Sequence, residues 1–380
     1  MDQSKRGALP DKDQFDLAGT SFLNAAFMHP LPKTAAAALR AYAEARQGLP
    51  FNTQAARDQA VQLFATLVGA DADELAWVPS TTAGENMVVS ALGLRQAGRI
   101  VTDELHFEGS LYLYQELAAQ GRLVSVVPHR DGAVMLEDMD AAIAPGTTLV
   151  AVSLVSTQNG FQHDLKSLCR IAHDKGAVVF ADIIQAAGTT PIDLHDSGVD
   201  FASCASYKWL MGDFGAGFLY ASRRAQQALR PMQQSYRQLQ DFATHHFPFE
   251  TPASDPLSYR KRAGAAALFE LGTLSNSAAV AMSHSLPLLL DLGIDRIEAH
   301  RQPMLELLQH ELPARGFLPL TPKGSRSALV AFAIKGAQQR FAAPLAEAGI
   351  HVQLYPNRLR ISPSIYNDMA DIERLLDVLR

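Results

Sequence analysis

The sequence is poor in cysteine, with only Cys169 and Cys204 among 380 residues. Two cysteines are too few for a disulfide framework or a cysteine-rich zinc site, and they suit a reducing compartment. No apolar run approaches the roughly 20 residues that a membrane span needs. The charged start of the chain is not followed by the apolar stretch of a signal peptide. We therefore expect a cytoplasmic protein that does not enter a membrane.

An excess of positive charge is also missing. Lysine and arginine together number 33 against 39 acidic residues, for a formal charge of -6, so nothing indicates binding to nucleic acid or to an anionic membrane. The 25 glycines and 20 prolines are near average and exclude collagen-like or low-complexity chains. With 48% hydrophobic and 19% charged residues, the chain is globular, and its length suits two domains or one large domain with an appendage.

The middle of the chain alternates between strand and helix patterns. Short apolar runs predict strands at 99–102, 123–127, 148–156, 177–183 and 201–206. Helices are predicted at 110–120 and after Asp164, where Leu165, Leu168, Cys169 and Ala172 form one apolar face. This alternation predicts an α/β fold with a mostly parallel sheet flanked by helices.

The pattern changes after residue 223. Residues 223–240 are polar with a helical pattern, and an α+β pattern with a final helix follows further on. We expect an N-terminal segment (1–20), a large domain (21–255) and a smaller C-terminal α+β domain (256–380). His245 and His246 lie near the boundary. They lack a third ligand at helical spacing, so we expect them to line a cleft or a dimer contact, and we predict no metal site.

Two neighbouring strands end in residues suited to one chemistry. Asp182 closes an apolar strand, where ligands bind in parallel sheets, although such an aspartate also serves to cap a turn. Lys208 follows the next strand between Tyr207 and Trp209. An apolar setting lowers the pKa of a lysine and makes it a nucleophilic amine, whereas a lysine at a strand end often extends into solvent instead. An amine beside an anion for a pyridinium nitrogen is what pyridoxal phosphate (PLP) requires.

A phosphate group needs its own binding site. The stretch 78–86 supplies Ser80, Thr81 and Thr82 before the predicted helical run 87–94. A helix N-terminus offers free N–H groups and a positive dipole end. The alternative is an ordinary helix cap.

Together these motifs resemble the class V aminotransferase group of fold-type I PLP enzymes, from about Phe22 to the C-terminus. The group includes cysteine desulfurases, kynureninases, isopenicillin N epimerase-like proteins and aminotransferases. The resemblance implies that Lys208 forms the Schiff base with PLP and that Asp182 pairs with the pyridine N–H. It also implies that Gln185 bonds the phenolic oxygen of PLP and that Tyr207 contacts the phosphate.

The resemblance implies further site residues. The phosphate turn would contain Thr81, Thr82 and Ala83. Phe107 would lie over the PLP ring, with His106 and Glu108 as alternatives. Gly272 and Thr273 match a turn that reaches the phosphate of a partner subunit, which implies a homodimer.

At the substrate end, the resemblance assigns Arg360 to the α-carboxylate and adds Asn24. Arg358 is interpreted as a solvated or ion-paired neighbour. Thr157 falls at a cofactor-binding position where relatives have asparagine, and Asn159 would compensate only with a shifted backbone.

The predicted function is a PLP-dependent enzyme acting on an amino acid or a related amine, most simply an aminotransferase. A C–S lyase, a β-eliminase or an epimerase uses the same chemistry and stays open. A cysteine desulfurase is disfavoured because residues 347–360 contain no cysteine. An inactive binding homologue is the remaining alternative.

Overall fold

The structure, a computed structural model, describes residues 9–48, 52–242, 248–249 and 259–380. Within these ranges the α-helices are α1 (Lys33–Ala45), α2 (Gln54–Val68), α3 (Thr81–Ala91), α4 (Glu108–Ala119), α5 (Leu136–Ala142), α6 (Leu165–Asp174), α7 (Leu194–Ser197), α8 (Arg223–Ala228), α9 (Ala265–Phe269), α10 (Asn276–Leu292), α11 (Ile294–Ala314), α12 (Ala337–Glu347) and α13 (Met369–Val378). The strands are β1 (Ser21–Phe22), β2 (Leu75–Val78), β3 (Arg99–Asp103), β4 (Leu123–Val127), β5 (Thr147–Ser153), β6 (Val178–Asp182), β7 (Phe201–Ala205), β8 (Gly217–Ala221), β9 (Leu239–Phe242), β10 (Tyr259–Lys261), β11 (Leu318–Pro319), β12 (Val330–Ala333), β13 (Ile350–His351), β14 (Gln353–Tyr355) and β15 (Arg358–Ile361).

The large domain is built on a seven-stranded sheet in the order β2-β8-β7-β6-β5-β3-β4. Strands β3 to β7 are parallel, and β8 runs antiparallel to both β7 and β2. Consecutive residues of β5 enter different cores: Val150 and Val152 join one cluster, while Leu149 and Ala151 join another. Because side chains alternate along a strand, this pattern covers both faces of the sheet. The predicted α/β class is confirmed.

Local sequence signals set several helix ends correctly. Helix α6 begins as predicted, with the Asp164 side chain accepting a hydrogen bond from the Ser167 amide at 3.0 Å. The chain leaves that helix at Gly176, whose φ of 79° favours a residue without a side chain. Helix α3 begins six residues before the predicted run, because Ser80 caps it by accepting from the Ala83 amide at 3.1 Å.

The predicted helix over 223–240 is too long, because only Arg223–Ala228 is α-helical. Helix α8 ends at Ala228, and the chain then leads into β9 at Leu239. Pro231 lies just beyond that end. Proline lacks the amide donor that a helix interior needs and disfavours helical geometry in the residue before it.

The C-terminal part carries an antiparallel sheet in the order β11-β12-β15-β14. Its core is shared with α11, α12 and α13, and it includes Leu23 from the start of the chain. Strand β1 reaches the same region and pairs in parallel with β13. Residues 21–23 therefore pack against the small domain.

Helix α10 packs against α1 and α2, and its Leu286 and Leu289 belong to the same cluster as the central sheet. The predicted boundary at 255/256 lies outside the described residues, as do His245 and His246, and the domain limits remain a prediction. Among the described residues, no single helix is long and apolar enough to cross a membrane, and only α10 and α11 together, bent by 74°, pass such a test.

Candidate active site

A cavity opens where the parallel strands of the large domain end. Ser153, Asp182 and Ala205 are the last residues of β5, β6 and β7, and Ser153 pairs directly with Asp182 in the sheet. Ligands of open α/β sheets bind at this edge. The cavity is lined by Ser80, Thr81, Thr82, Phe107, Ser153, Val155, Thr157, Asp182, Ile184, Gln185, Ala205, Tyr207 and Lys208.

Asp182 and Lys208 meet in this cavity, as the strand pattern predicts. Both are buried, with 4% and 9% of their surfaces exposed. Burial raises the pKa of Asp182 to about 6, while the amide of Ile184 and the positive charges of His106 and Lys208 oppose the rise. Burial also lowers the pKa of Lys208 to about 8, against the attraction of Asp182. The site therefore holds an acid and an amine whose proton affinities have moved toward each other.

Helix α3 closes one end of the cavity. Ser80, Thr81 and Thr82 line the wall, whereas Ala83 does not; the Ala83 amide donates to Ser80 Oγ at 3.1 Å. The turn implied by the resemblance, Thr81 to Ala83, thus reaches the cavity at Thr81 and Thr82, and Ser80, the cap of the helix, adds a third hydroxyl to the wall. A side chain at Gly84 would place its Cβ 2.5 Å from Ser203 Oγ, so the helix lies tightly against β7.

Three neighbouring residues were alternatives for the contact with a cofactor ring. Phe107 lines the cavity. His106 is fully buried behind the wall, and Glu108 points toward Gln158, whose Nε2 donates to it at 2.6 Å. The geometry favours Phe107, the residue expected from the sequence.

A buried polar cluster lies directly behind the cavity wall, and the sequence reasoning missed it. His106 contacts Glu85 Oε1 through Nε2 at 3.0 Å and Ser153 Oγ through Nδ1 at 2.8 Å. Ser110 and Tyr114 also donate to the Glu85 carboxylate. Burial opposes both charges, but their attraction outweighs it, so the pKa of Glu85 is lowered and that of His106 is raised. The ion pair places a positive charge near Asp182.

Removing the carboxylate of this cluster should lower the stability of the folded protein. We expect Glu85→Ala to lower the free energy of unfolding by about 3–5 kcal/mol, because it leaves a buried cation and two buried hydroxyls without their acceptor. Exposed Glu116 on α4 gives a matched control, and Glu116→Ala should stay within about 0.5 kcal/mol. Urea unfolding measures both variants. Equal stabilities would show that the cluster does not contribute.

Thr157, Gln185 and Arg360 form one network at the other side of the cavity. Gln185 Nε2 donates to Ala26 O and to Thr157 Oγ1, both at 3.0 Å, and its Oε1 accepts from Trp209 at 2.9 Å. Arg360 Nη1 donates to Thr157 O at 2.9 Å and to Thr157 Oγ1 at 2.7 Å. Both donors of the Gln185 amide are therefore occupied. The hydroxyl of Thr157 accepts twice, which leaves its own hydrogen to be donated.

Arg360 is buried, with 4% of its surface exposed. Its Nε has no hydrogen-bond partner within the described part of the chain. Asn24 lies close by: its Nδ2 donates to Gln353 Oε1 at 3.3 Å, and Gln353 pairs with Arg360 in the sheet. The Asn24 Oδ1 is likewise buried without a partner among the described residues. A polar ligand at this point would satisfy both groups.

Several other predicted residues lie away from the cavity. Gly272 and Thr273 do not line it, and Thr273 Oγ1 instead contacts Tyr236 at 3.1 Å. Asn159 donates to Gly132 O at 2.8 Å and to Leu320 O, so it does not replace the asparagine that relatives have at position 157. Arg358 bonds Gln158 rather than a carboxylate.

The two cysteines do not line the cavity. Both are buried. Burial raises the pKa of Cys169 to about 12 and that of Cys204 well above its usual value. Neither thiol is in the thiolate form that acts as a nucleophile.

Outside the cavity, Asp71, Glu74 and His195 bring three groups of the metal-ligand type within 4.8 Å of one another. Arg223 Nη2 lies 2.8 Å from Asp71. Glu74 and His195 contact each other. Cationic and imidazole groups thus already partner these carboxylates.

The side chains of the cavity suit a cofactor that has a basic ring nitrogen, an aldehyde and a phosphate. It combines a buried carboxylate, a buried amine, an aromatic wall and a helix N-terminus. Comparison with known proteins agrees with this reading. Residues 16–375 match the family described as "Aminotransferase class-V".

Individual proteins are similar over most of the chain. The "Uncharacterized aminotransferase YcbU" of Bacillus subtilis is 27% identical over 315 residues, covering 83% of this chain and 80% of that protein. A "Probable cysteine desulfurase" of Methanothermobacter thermautotrophicus is 29% identical over 255 residues, covering 66% of this chain and 60% of that protein. The crystal structure of the cysteine desulfurase CsdA from Escherichia coli superposes with a TM-score of 0.84 at 22% identity, covering 98% of both chains. At that identity the likeness establishes the fold.

Proposed function

Because the chain belongs to the class V aminotransferase family of PLP-dependent enzymes, we propose that it is an aminotransferase acting on an amino acid or a related amine. When bound, the cofactor supplies an electron sink that stabilises negative charge at the substrate Cα. The buried pair of Asp182 and Lys208 in one cavity carries this proposal.

The residues of the cavity match the parts of PLP. Lys208 Nζ would supply the amine for the aldehyde carbon, and Asp182 would supply the anion for the pyridine N–H. Ser80 and Thr82 at the start of α3 would hold the phosphate, and Phe107 would pack on the ring. Since the donors of Gln185 are occupied, we assign the hydrogen bond to the phenolic oxygen to the hydroxyl of Thr157.

The acid–base groups favour a reaction that uses one base, such as transamination, over epimerisation by two bases. Within the described part of the chain, the ionisable residues lining the cavity are Asp182, Tyr207 and Lys208. Lys208 Nζ is neutral in a large share of molecules near pH 8, so it is suited to accept a proton from the substrate Cα. The ring of Tyr207 stacks on Phe214 at 4.5 Å. Transamination needs one base, whereas epimerisation by two bases needs a second on the opposite face.

The cysteines argue against the desulfurase activity named for several relatives. A desulfurase needs a nucleophilic thiol near the substrate, and this chain has two thiols that are both buried with raised pKa values. The segment before Arg360 forms the short strands β13 and β14 without a cysteine.

The products distinguish the candidate reactions. We expect purified protein to be yellow with PLP and to convert an amino acid only when a keto acid is supplied as the amino acceptor. Release of pyruvate or sulfide without a keto acid would instead indicate a C–S lyase or β-eliminase, and loss of optical activity alone an epimerase. Protein that stays colourless after addition of PLP and is unaffected by borohydride would support an inactive binding homologue.

Arg360 should set the affinity for the carboxylate of the substrate. Its unpartnered Nε and buried position suit a charge-assisted contact. We expect Arg360→Gln to raise the KM for the amino acid about 10- to 100-fold. Arg170 is exposed on the surface, and the control variant Arg170→Gln should leave that KM unchanged. Steady-state kinetics with the best amino donor check this. An unchanged KM in Arg360→Gln would remove Arg360 from the binding site.

The subunit arrangement is a further part of the proposal. Gly272 and Thr273 do not line the cavity of their own chain, and we assign them to the phosphate of a partner subunit in a homodimer, as the resemblance to the family implies. Sedimentation equilibrium would measure the oligomeric state, and a monomer that is fully active would contradict this arrangement.

A further inference from the structure

A second arginine lies next to the one assigned to the substrate carboxylate. Arg358 and Arg360 are two positions apart on β15, so their side chains leave the same face of the strand. Both arginines donate hydrogen bonds to consecutive residues of one loop. Arg360 Nη1 donates to Thr157. Arg358 Nη1 donates to Gln158 Oε1 at 2.7 Å and to Gln158 O at 3.4 Å. Both guanidinium groups therefore contact the loop that carries Thr157, and Thr157 lines the cavity.

Within the described part of the chain, Arg358 has no direct counter-ion. Its contacts among the described residues are with Gln158 and with the ring of Tyr355, whose centroid lies 4.0 Å from the guanidinium carbon, and no carboxylate is among them. Glu108 reaches it only through Gln158, whose Nε2 donates to Glu108 at 2.6 Å. Arg358 is also half-buried, so neither of the roles expected from the sequence, ion pairing or full solvation, describes it.

The contacts of Arg358 hold its guanidinium group in an orientation that suits binding of an anion. Stacking on Tyr355 fixes the plane of the guanidinium group, and Gln158 fixes its rotation. Both hydrogen bonds use Nη1, which leaves the hydrogens of Nη2 and Nε available. A planar group with two parallel N–H donors matches a carboxylate.

We propose that Arg358 binds a second anionic group at the side-chain end of the substrate, and that the enzyme acts on amino acids with an acidic side chain. Successive residues on one face of a strand are about 6.7 Å apart. That spacing suits the two carboxylates of a short dicarboxylic amino acid such as aspartate or glutamate, one on each arginine. This inference depends on the proposed function for the α-carboxylate at Arg360.

The kinetic test compares acidic amino donors with their neutral amides, aspartate with asparagine and glutamate with glutamine. We expect the wild-type holoenzyme to prefer the acidic member of each pair. In Arg358→Gln the ratio of kcat/KM for acidic over neutral donors should fall about 10- to 100-fold. The exposed variant Arg340→Gln should keep the wild-type ratio. An unchanged ratio in Arg358→Gln, or a wild-type enzyme without acidic preference, would overturn the inference.

A binding measurement separates this inference from the proposed reaction. Succinate carries two carboxylates and propionate one, and neither has an amine to react. By calorimetry on the holoprotein, we expect succinate to bind more tightly than propionate, with the difference lost in Arg358→Gln. If no amino acid were turned over but this difference remained, the proposed reaction would be wrong while the second anion site would stand. Equal affinities for the two acids would overturn the site itself.

Discussion

Replacing Lys208 with alanine is expected to abolish turnover, with a loss of at least about 10²–10⁴-fold from the missing acid–base group alone. Lys208 is buried in the cavity that holds Asp182. No other lysine lines that cavity among the described residues, so no second amine replaces it. The variant should bind PLP without forming a covalent bond to the protein.

Borohydride reduction followed by peptide mass analysis measures that bond. Wild-type protein should carry the cofactor mass on the peptide containing Lys208, and Lys208→Ala should carry none. The exposed variant Lys335→Ala should behave as wild type. A reducible adduct that survives in Lys208→Ala would place the covalent attachment elsewhere.

The pH dependence follows from the pKa of the same amine. A neutral amine attacks an aldehyde, and a folded-state pKa of about 8 lies below the ordinary lysine value. The rate at which apoprotein captures PLP should therefore rise as the pH passes through about 8 rather than above 10. Stopped-flow absorbance over a pH series measures it.

Replacing Asp182 with asparagine is the second large effect. We expect turnover to fall about 10²–10³-fold, because the ring nitrogen loses the anion that keeps it protonated. Asparagine retains an oxygen for the Ile184 amide, which donates to Asp182 Oδ1 at 2.9 Å. Folding stability should change little, since burial already disfavours the charge of Asp182.

A spectroscopic readout distinguishes this role from a structural one. Asp182 raises the pKa of Lys208, so Asp182→Asn should shift the pH midpoint of PLP capture below the wild-type value. The exposed variant Asp174→Asn should leave that midpoint and turnover unchanged. If Asp182→Asn kept wild-type turnover and the wild-type midpoint, Asp182 would not face the cofactor.

Local sequence predicted the elements that carry the chemistry. Asp182 and Lys208 each follow a short apolar strand, and parallel strands place their carboxyl ends at one edge. The pairing of Asp182 with Ser203 in the sheet meets that expectation. The helix predicted over 223–240 was too long for a local reason. The prediction followed the polar helical pattern past Pro231, which lies just beyond the end of α8.

Contacts between distant parts of the chain could not be predicted from local sequence patterns. Glu85 and His106 are 21 residues apart, and each reads singly as an ordinary helix or loop residue. Gln185 Nε2 donates to Ala26 O and Thr157 Oγ1, 159 and 28 residues away, and for this reason we propose Thr157 rather than Gln185 as the contact of the phenolic oxygen. Such partners are set by how helices and strands pack.

The sequence by itself determined the α/β class, the cavity edge and the two groups that would hold the cofactor, because strand periodicity and residue type are local properties. The tertiary structure decided which side-chain hydrogen-bond donors of the site are already occupied and which remain available to a ligand. Among the described residues, it gave Arg358 no carboxylate partner but an amide, Gln158, which is 200 residues away in the sequence. Burial also moved the pKa values of Asp182 and Lys208 toward each other, since desolvation depends on everything packed around a charge.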